Sequence, residues 1–401
     1  MTSDERIYWI WLQNALGPRA NTKRVFGFFE RARDIFDAGS LEWRLSGVFT
    51  PKQIGRLENS SAEEAQAILD TCEKNAWAVI TPESDLYPPL LKELQDFPLV
   101  LYVRGDLSCL RDKVSIAIVG TRQASAYGTE VSFRLSKSFA EAGAVVVSGG
   151  ALGVDSAAHD GAMQGGGKTV AVMGCGLASN YLSTNKGLRD KIAKNGAVVS
   201  EYPPDTPASG SNFPIRNRLI SGMSLGTLVI EAGERSGSLI TANFALDQGR
   251  GVFAVAGDII NSSFTGAHKL IRDGAKPVFS ALDVLDEYKD IYPGALDLSA
   301  LASLSSVKKV NAKVDGGRVE KALSNKSQAP ASPRPVLRRK LPEGLGDIEH
   351  KVYEAVGVDP THIDDIFRAC KDSPPLIITA LTQLELFGLI RLTDGKRYML
   401  I

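Results

Sequence analysis

The 401-residue sequence predicts an α/β protein: a doubly wound parallel sheet flanked by a small N-terminal all-α domain and a C-terminal winged-helix domain. Three observations predict it. Short β-branched apolar runs recur through the middle of the chain, spaced far enough apart for crossover helices. Helical periodicity precedes them, and three helical segments followed by a hairpin come after them.

Residues 1–75 read as short helices broken at Gly17-Pro18, Gly39-Ser40 and Thr50-Pro51. The turn Leu16-Gly17-Pro18-Arg19 is reminiscent of a helix-hairpin-helix or sterile-alpha-motif-like unit. Because this segment is net acidic, packing or partner docking is expected of it rather than DNA binding. Residues 76–290 form the core, with strands expected at Val114–Val119, Ala144–Val147, Thr169–Met173, Ala197–Val199, Thr227–Ile230 and Val252–Ala256. Two upstream runs, Trp77–Ile80 and Leu99–Val103, are expected to extend the sheet at an edge. Residues 291–342 read as a basic, Pro-containing linker. Within it, residues 305–340 carry ten basic and two acidic side chains and no aromatic residue, a composition that cannot bury enough apolar surface to order itself. A solvated spacer is the expected role, with an electrostatic tether for nucleic acid as the alternative. Residues 343–401 follow as helices at Asp347–Val356, His362–Ala369 and Pro374–Phe387, then a hairpin turning at Asp394-Gly395, the order of a winged helix.

Composition narrows the function. Lys and Arg total 46, as do Asp and Glu, so the chain is no globally basic nucleic-acid coat and any grip on a polyanion must be local. Cys72, Cys109, Cys175 and Cys370 are scattered without a Cys-x-x-Cys pair, and His159, His268, His350 and His362 show no metal-binding spacing. Neither a disulfide framework nor a metal is expected, and no cofactor is. The apolar run Ile7–Leu12 is too short for a signal core, and no stretch approaches the roughly 18 apolar residues of a membrane span. A cytoplasmic location is the expectation.

The predicted strands end in small polar residues, among them Gly120-Thr121-Arg122, Ser148-Gly149-Gly150, Gly174-Cys175-Gly176 and Glu231-Ala232-Gly233. Strand carboxyl ends share one edge of such a sheet, where glycines let backbone N–H groups approach an anion and helix N-termini point inward. A polyanion site is therefore expected there. Arg122 adds a guanidinium, and Phe213-Pro214-Ile215-Arg216-Asn217-Arg218 adds two more at a helix start, one of which is open to a purely bracing role. Ser236, Gly237, Ser238 and Thr241 open another helix with hydroxyls able either to cap it or to bind phosphate. Asp155 reads as a helix cap, with orienting an arginine or acting as a base as the alternatives, and His159 as a packed or hydrogen-bonded residue in preference to an acid–base group. Glu231 is the acid most suggestive of catalysis, without a partner nucleophile or base. Three enzyme motifs fail. Gly222-Met223-Ser224-Leu225-Gly226 precedes a strand instead of following one, Gly165-Gly166-Gly167-Lys168 has Ala162 where a Walker loop needs glycine, and Gly174-Cys175-Gly176 lacks the third glycine of a dinucleotide fingerprint.

Together Ile118-Val119-Gly120-Thr121-Arg122, Ser148-Gly149-Gly150-Ala151-Leu152-Gly153-Val154-Asp155, Phe213-Pro214-Ile215-Arg216-Asn217-Arg218 and Ser236-Gly237-Ser238-Leu239-Ile240-Thr241-Ala242 resemble the DNA-processing protein A (DprA, or Smf) family. The resemblance implies an extended Rossmann-like core and a non-enzymatic protein without catalytic residues. Such a protein binds single-stranded DNA, dimerises through its core and loads RecA during natural transformation. It places Arg122 in the DNA pocket. The family's usual Tyr-Pro is replaced here by Tyr181-Leu182, which leaves Lys186 as the substitute for a nearby DNA-binding lysine. The helix Pro374–Phe387 contains no Lys or Arg, so partner docking is expected of the last domain rather than duplex reading. Bases are expected to stack on Phe213 or Tyr127. The alternative function is a Rossmann-like enzyme that hydrolyses nucleoside monophosphates with Glu231.

Overall fold

A computed structural model describes residues 4–181, 185–299, 345–357, 360–370, 372–387, 389–393 and 397–400. These fall into two compact units, one holding residues 4–299 and the other residues 345–400.

The first unit opens with α1 (Arg6–Leu16), α2 (Thr22–Val25), α3 (Ala32–Ser46), α4 (Pro51–Asn59) and α5 (Ala62–Lys74). The apolar run of α1 is the axis of this cluster: Trp9, Ile10, Trp11 and Leu12 are all buried among Ile35, Trp43, Leu57 and Leu69. Its chain breaks are chemical. Gly17, at φ +72°, ends α1, and Gly39, at φ +75°, interrupts the helical backbone inside α3. Thr50 and Gln53 close a capping box ahead of α4, with Pro51 at its first position.

The chain then forms β1 (Ala78–Ile80), α6 (Pro89–Lys92), β2 (Leu101–Gly105), β3 (Ser115–Val119), α7 (Ala126–Glu141), β4 (Val145–Ser148), α8 (Val154–Gln164), β5 (Thr169–Met173), α9 (Lys186–Asn195) and β6 (Ala197–Ser200). It continues through α10 (Asn212–Gly222), β7 (Gly226–Val229), α11 (Ser238–Asp247), β8 (Gly251–Val255), α12 (Thr265–Arg272), β9 (Lys276–Val278) and α13 (Leu282–Leu285). The strands make one nine-stranded sheet in the order β1-β2-β6-β5-β4-β3-β7-β8-β9. From β6 to β9 every pairing is parallel, whereas β1 and β2 extend the β6 edge antiparallel.

Both sheet faces are covered, as a parallel sheet requires. Along β3, Ile116 and Ile118 enter the core shared with Phe139 of α7 and Ala158 of α8, while Ala117 and Val119 enter the core shared with Leu219 of α10 and Ala242 of α11. The strand order reverses at β3: β4, β5 and β6 lie on one side of it, and β7 returns to pair with its other side. A crevice opens outside the carboxyl ends of strands at such a switch point. The edge strand β9, Lys276-Pro277-Val278, was not among the expected strands; it is short and holds a proline, which only an edge tolerates.

The second unit has helices Asp347–Ala355, Ile363–Cys370 and Pro374–Leu386 with β10 (Thr361–His362), β11 (Ile390–Thr393) and β12 (Arg397–Leu400) in the antiparallel order β10-β12-β11. Its core gathers Val352, Ile366, Ile377, Leu381, Leu384 and Ile390. This is a winged helix. The helix Pro374–Leu386 shows Leu376 and Ile378 to solvent. The basic segment 305–340, the turn at Asp394-Gly395 and Lys396 lie outside the described residues. Among the described residues, no helix is long and apolar enough to cross a membrane.

Candidate nucleic-acid interface

The crevice at the switch point has a volume of about 670 Å³ and is walled by the loop after β3, the start of α8, Tyr181, and the first turns of α10 and α11. Its front loop is fixed by backbone. Thr121 donates its N–H to the Glu231 carbonyl at 2.8 Å, and its own carbonyl accepts from Val154 N–H at 3.3 Å, so Gly120-Thr121-Arg122 is tied between the β7 end and α8. Arg122 projects from this loop, exposed, with its guanidinium carbon 5.1 Å from the Phe213 ring centre. No carboxylate lies within ion-pairing distance of it among the described residues.

Phe213, in the first turn of α10, sits 4.8 Å from the ring of Tyr181 and forms an aromatic wall. Behind it Arg216 is 4% exposed. Its Nη1 donates to the carbonyls of Gly149, at 2.8 Å, and of Val172, which pins the guanidinium to the ends of β4 and β5. Its buried Nε has no acceptor. Burial draws Arg216 below its ordinary value, opposed by Asp155 and assisted by Arg122, yet a guanidinium remains a cation in any protein site. Asn217 donates from Nδ2 to Gly237 O at 3.3 Å, and the hydroxyls of Ser236 and Ser238 lie 2.8 Å apart. Ser236 Oγ also accepts from Ser238 N–H, a cap-like contact, while both serines face the crevice with Thr241. The chemistry of the walls is two cations, one buried carboxylate at Asp155, three helix N-termini and one aromatic face, suited to a phosphate carrying a planar group.

Gly120, Thr121, Arg122, Arg216, Asn217, Ser236, Gly237, Ser238 and Thr241 thus come together in one cavity, joined by Phe213 and by Tyr181. Five expected site residues are placed elsewhere. Arg218 is 1% exposed and turned away from the crevice, its Nη2 bonded to Glu201 Oε2 at 2.5 Å and its Nε 3.3 Å from Asp96 Oδ2. It is the bracing member of the arginine pair. Ser148 is buried, donating to Ile118 O at 2.6 Å, and Gly149 and Gly150 form the turn behind Arg216 instead of the crevice wall. Lys186 is exposed at the start of α9, outside the crevice lining.

Three acid–base candidates also resolve. Glu231 is buried away from the crevice, where its Oε2 accepts from Ser125 N–H at 3.0 Å and Ser125 Oγ at 2.8 Å, fastening the start of α7. That corrects its reading as the suggestive catalytic acid. Asp155 is not the cap of α8: Gly153 holds that position, and Asp155 reaches back to Ala151 N–H at 3.3 Å from inside the first turn. Burial raises its pKa, with Arg216 pulling it back. His159 is fully buried and pairs through Nδ1 with Thr169 Oγ1 at 2.7 Å, and burial pushes it down to about 3. Tyr127 is half exposed and packs edge-on against Phe264, outside the crevice. The role of Tyr181 as the second aromatic had no local signal, because its partner lies 32 residues further along the chain (213 − 181). Among the described residues no cluster of histidine, cysteine and acidic side chains could hold a metal.

Comparison with known proteins matches residues 78–289 to the family described as DNA recombination-mediator protein A, and residues 330–396 to the DprA winged helix domain. The DNA processing protein DprA of Bacillus subtilis is 43% identical over 51% of this chain and 69% of its own length. Protein Smf of Synechocystis is 30% identical over 99% of both chains. The X-ray structure of DprA from Streptococcus pneumoniae superposes with a TM-score of 0.61 at 34% identity, covering 72% of this chain and 99% of that one.

Proposed function

The chain belongs to the DNA recombination-mediator protein A family, and on that premise we propose that it binds single-stranded DNA through the switch-point crevice without catalysing a reaction. Its coarse role is DNA processing as a recombination mediator. In the proposed arrangement Arg122 and Arg216 hold backbone phosphate, the first turns of α10 and α11 present N–H groups to it, and a base stacks on Phe213. The observation that carries this reading is the exposed Arg122 guanidinium, without an ion-pair partner among the described residues, over the Phe213 ring with Arg216 behind it. Loading of RecA onto incoming DNA during natural transformation, a homodimer built through the core and a cytoplasmic location complete the proposal. So do domain limits of 1–75, 76–290, 291–342 and 343–401.

The rival, a nucleoside monophosphate hydrolase, depends on Glu231, and that carboxylate is engaged by Ser125. The test is fluorescence anisotropy with a labelled oligonucleotide, single-stranded and duplex, at two salt concentrations. The expected outcome is preference for the single strand, with a log–log salt slope of about −3 if four phosphates are neutralised. No binding, or release of free base from a nucleotide that stops in Glu231→Gln, would favour the rival.

A further inference from the structure

We propose that Asp155 limits how tightly the crevice holds phosphate, acting as a fixed internal anion that competes with the ligand for Arg216 and Arg122. This rests on reading the crevice as a phosphate site. The geometry is specific. Asp155 lies in the crevice wall, nine-tenths buried. Gly149 is the spacer between it and the arginine: a Cβ there would stand 2.7 Å from Asp155 Oδ2 and 2.8 Å from Arg216 Nη2. The two charges therefore face each other across a gap that only glycine leaves open, without closing into an ion pair.

A crevice designed only to attract phosphate would not keep a carboxylate beside its deeper cation. Arg216 spends Nη1 on two carbonyls and leaves a buried Nε without an acceptor, so an arriving phosphate oxygen and the Asp155 carboxylate draw on the same guanidinium. Like charges a few ångströms apart in a poorly solvated wall oppose each other. Binding phosphate therefore favours the protonated form of Asp155, and binding is accompanied by proton uptake. The sign follows: affinity rises as pH falls toward the range where Asp155 protonates, and is lowest where the carboxylate is fully ionised.

The neighbours bear on which group titrates. Arg122 acts on Asp155 from the loop after β3, Ser148 from the end of β4, the Ala151 amide from the following turn, and Arg216 from α10, and Tyr181 and Cys175 act in turn on that arginine. One turn along α8, His159 is kept neutral by burial down to about 3 and contributes no charge change in the working range. Burial is the largest influence on Asp155 and raises its pKa, with Arg216 the largest opposing influence.

The experiment measures binding of labelled oligothymidylate, whose bases do not titrate in the range used, to the full chain between about pH 5 and pH 8. Wild type is expected to tighten toward acid. Asp155→Asn, which keeps an acceptor for the Ala151 amide, is expected to bind on the order of ten-fold tighter at the alkaline end and to lose the pH dependence. Two results would overturn the proposal: a wild-type profile that is flat or weakens toward acid, or an Asp155→Asn variant of unchanged melting temperature that binds more weakly, which would make Asp155 an orienter of the arginines. The wild-type profile decides the matter even if the variant does not fold. Absence of wild-type binding at every pH overturns the phosphate reading itself, a result distinct from both.

Discussion

Arg216 and Arg218 are two residues apart on one helix, which turns their side chains about 200° from each other. That rotation sends one guanidinium into the crevice and the other into the seam where Asp96 and Glu201 wait. The seam is polar, with Arg218 and Glu201 both buried in it. Gln13 of α1 donates into it to the carbonyls of Val100 and Glu201, at 3.0 and 2.5 Å, so the same cluster ties the N-terminal helices to the sheet. Truncating Arg218 would strand a buried carboxylate, at a cost of about 3–5 kcal/mol. Arg218→Ala is therefore expected to lower the denaturation midpoint markedly; a variant as stable as wild type would remove the bracing role. Sequence alone separated the arginines only as two possible roles, because which of them faces the crevice depends on where α10 docks, and that is set by contacts with β5 and α11. Glu231 illustrates the converse. Its position at a strand end in the right loop was legible, but its orientation toward Ser125 was not.

At the level of elements, the parallel strands were legible because a strand buried on both faces needs a near-continuous apolar run rich in β-branched residues, and β3, β4, β5 and β6 each have one. The turns at Gly17, Gly39 and Thr50-Pro51 were legible because each is a local conformational demand. What local sequence could not carry is helix-to-helix distance. α8 approaches α7 so closely that a Cβ on Gly161 would overlap the Phe133 carbonyl. Backbone cannot rotate out of the way as a side chain can, so Gly161→Ala is expected to destabilise by about 1–3 kcal/mol, read from the urea midpoint. Since the first turn of α8 also holds the Thr121 carbonyl, and with it the loop that carries Arg122, the same variant should loosen ligand binding as well. An unchanged midpoint would mean that the two helices separate at little cost.

For the molecule as a whole, equal numbers of acids and bases mean that affinity for a polyanion must come from placement and not from net charge. The fold supplies that placement. The strand order reverses at β3, five loops converge on one edge, and three helices begin there. The expectation of a polyanion site at the strand ends follows from chain topology, which the alternating runs revealed. The aromatic wall of Tyr181 and Phe213 and the buried anion at Asp155 are tertiary features without a local signal.

In the proposed function Arg122 and the groups behind it hold the phosphates of a single strand, a placement with a direct consequence for salt dependence. It is tested most directly by titrating binding of a labelled single-stranded oligonucleotide with salt, in wild type and in Arg122→Ala. Arg122 is exposed and makes no ion pair among the described residues, so the variant should melt as wild type does. Its affinity is expected to fall about ten-fold, and its log–log salt slope to become shallower by about 0.7, the contribution of one phosphate contact on a single strand. An Arg122→Ala variant with wild-type affinity and wild-type slope would place the DNA elsewhere on the protein and contradict the account.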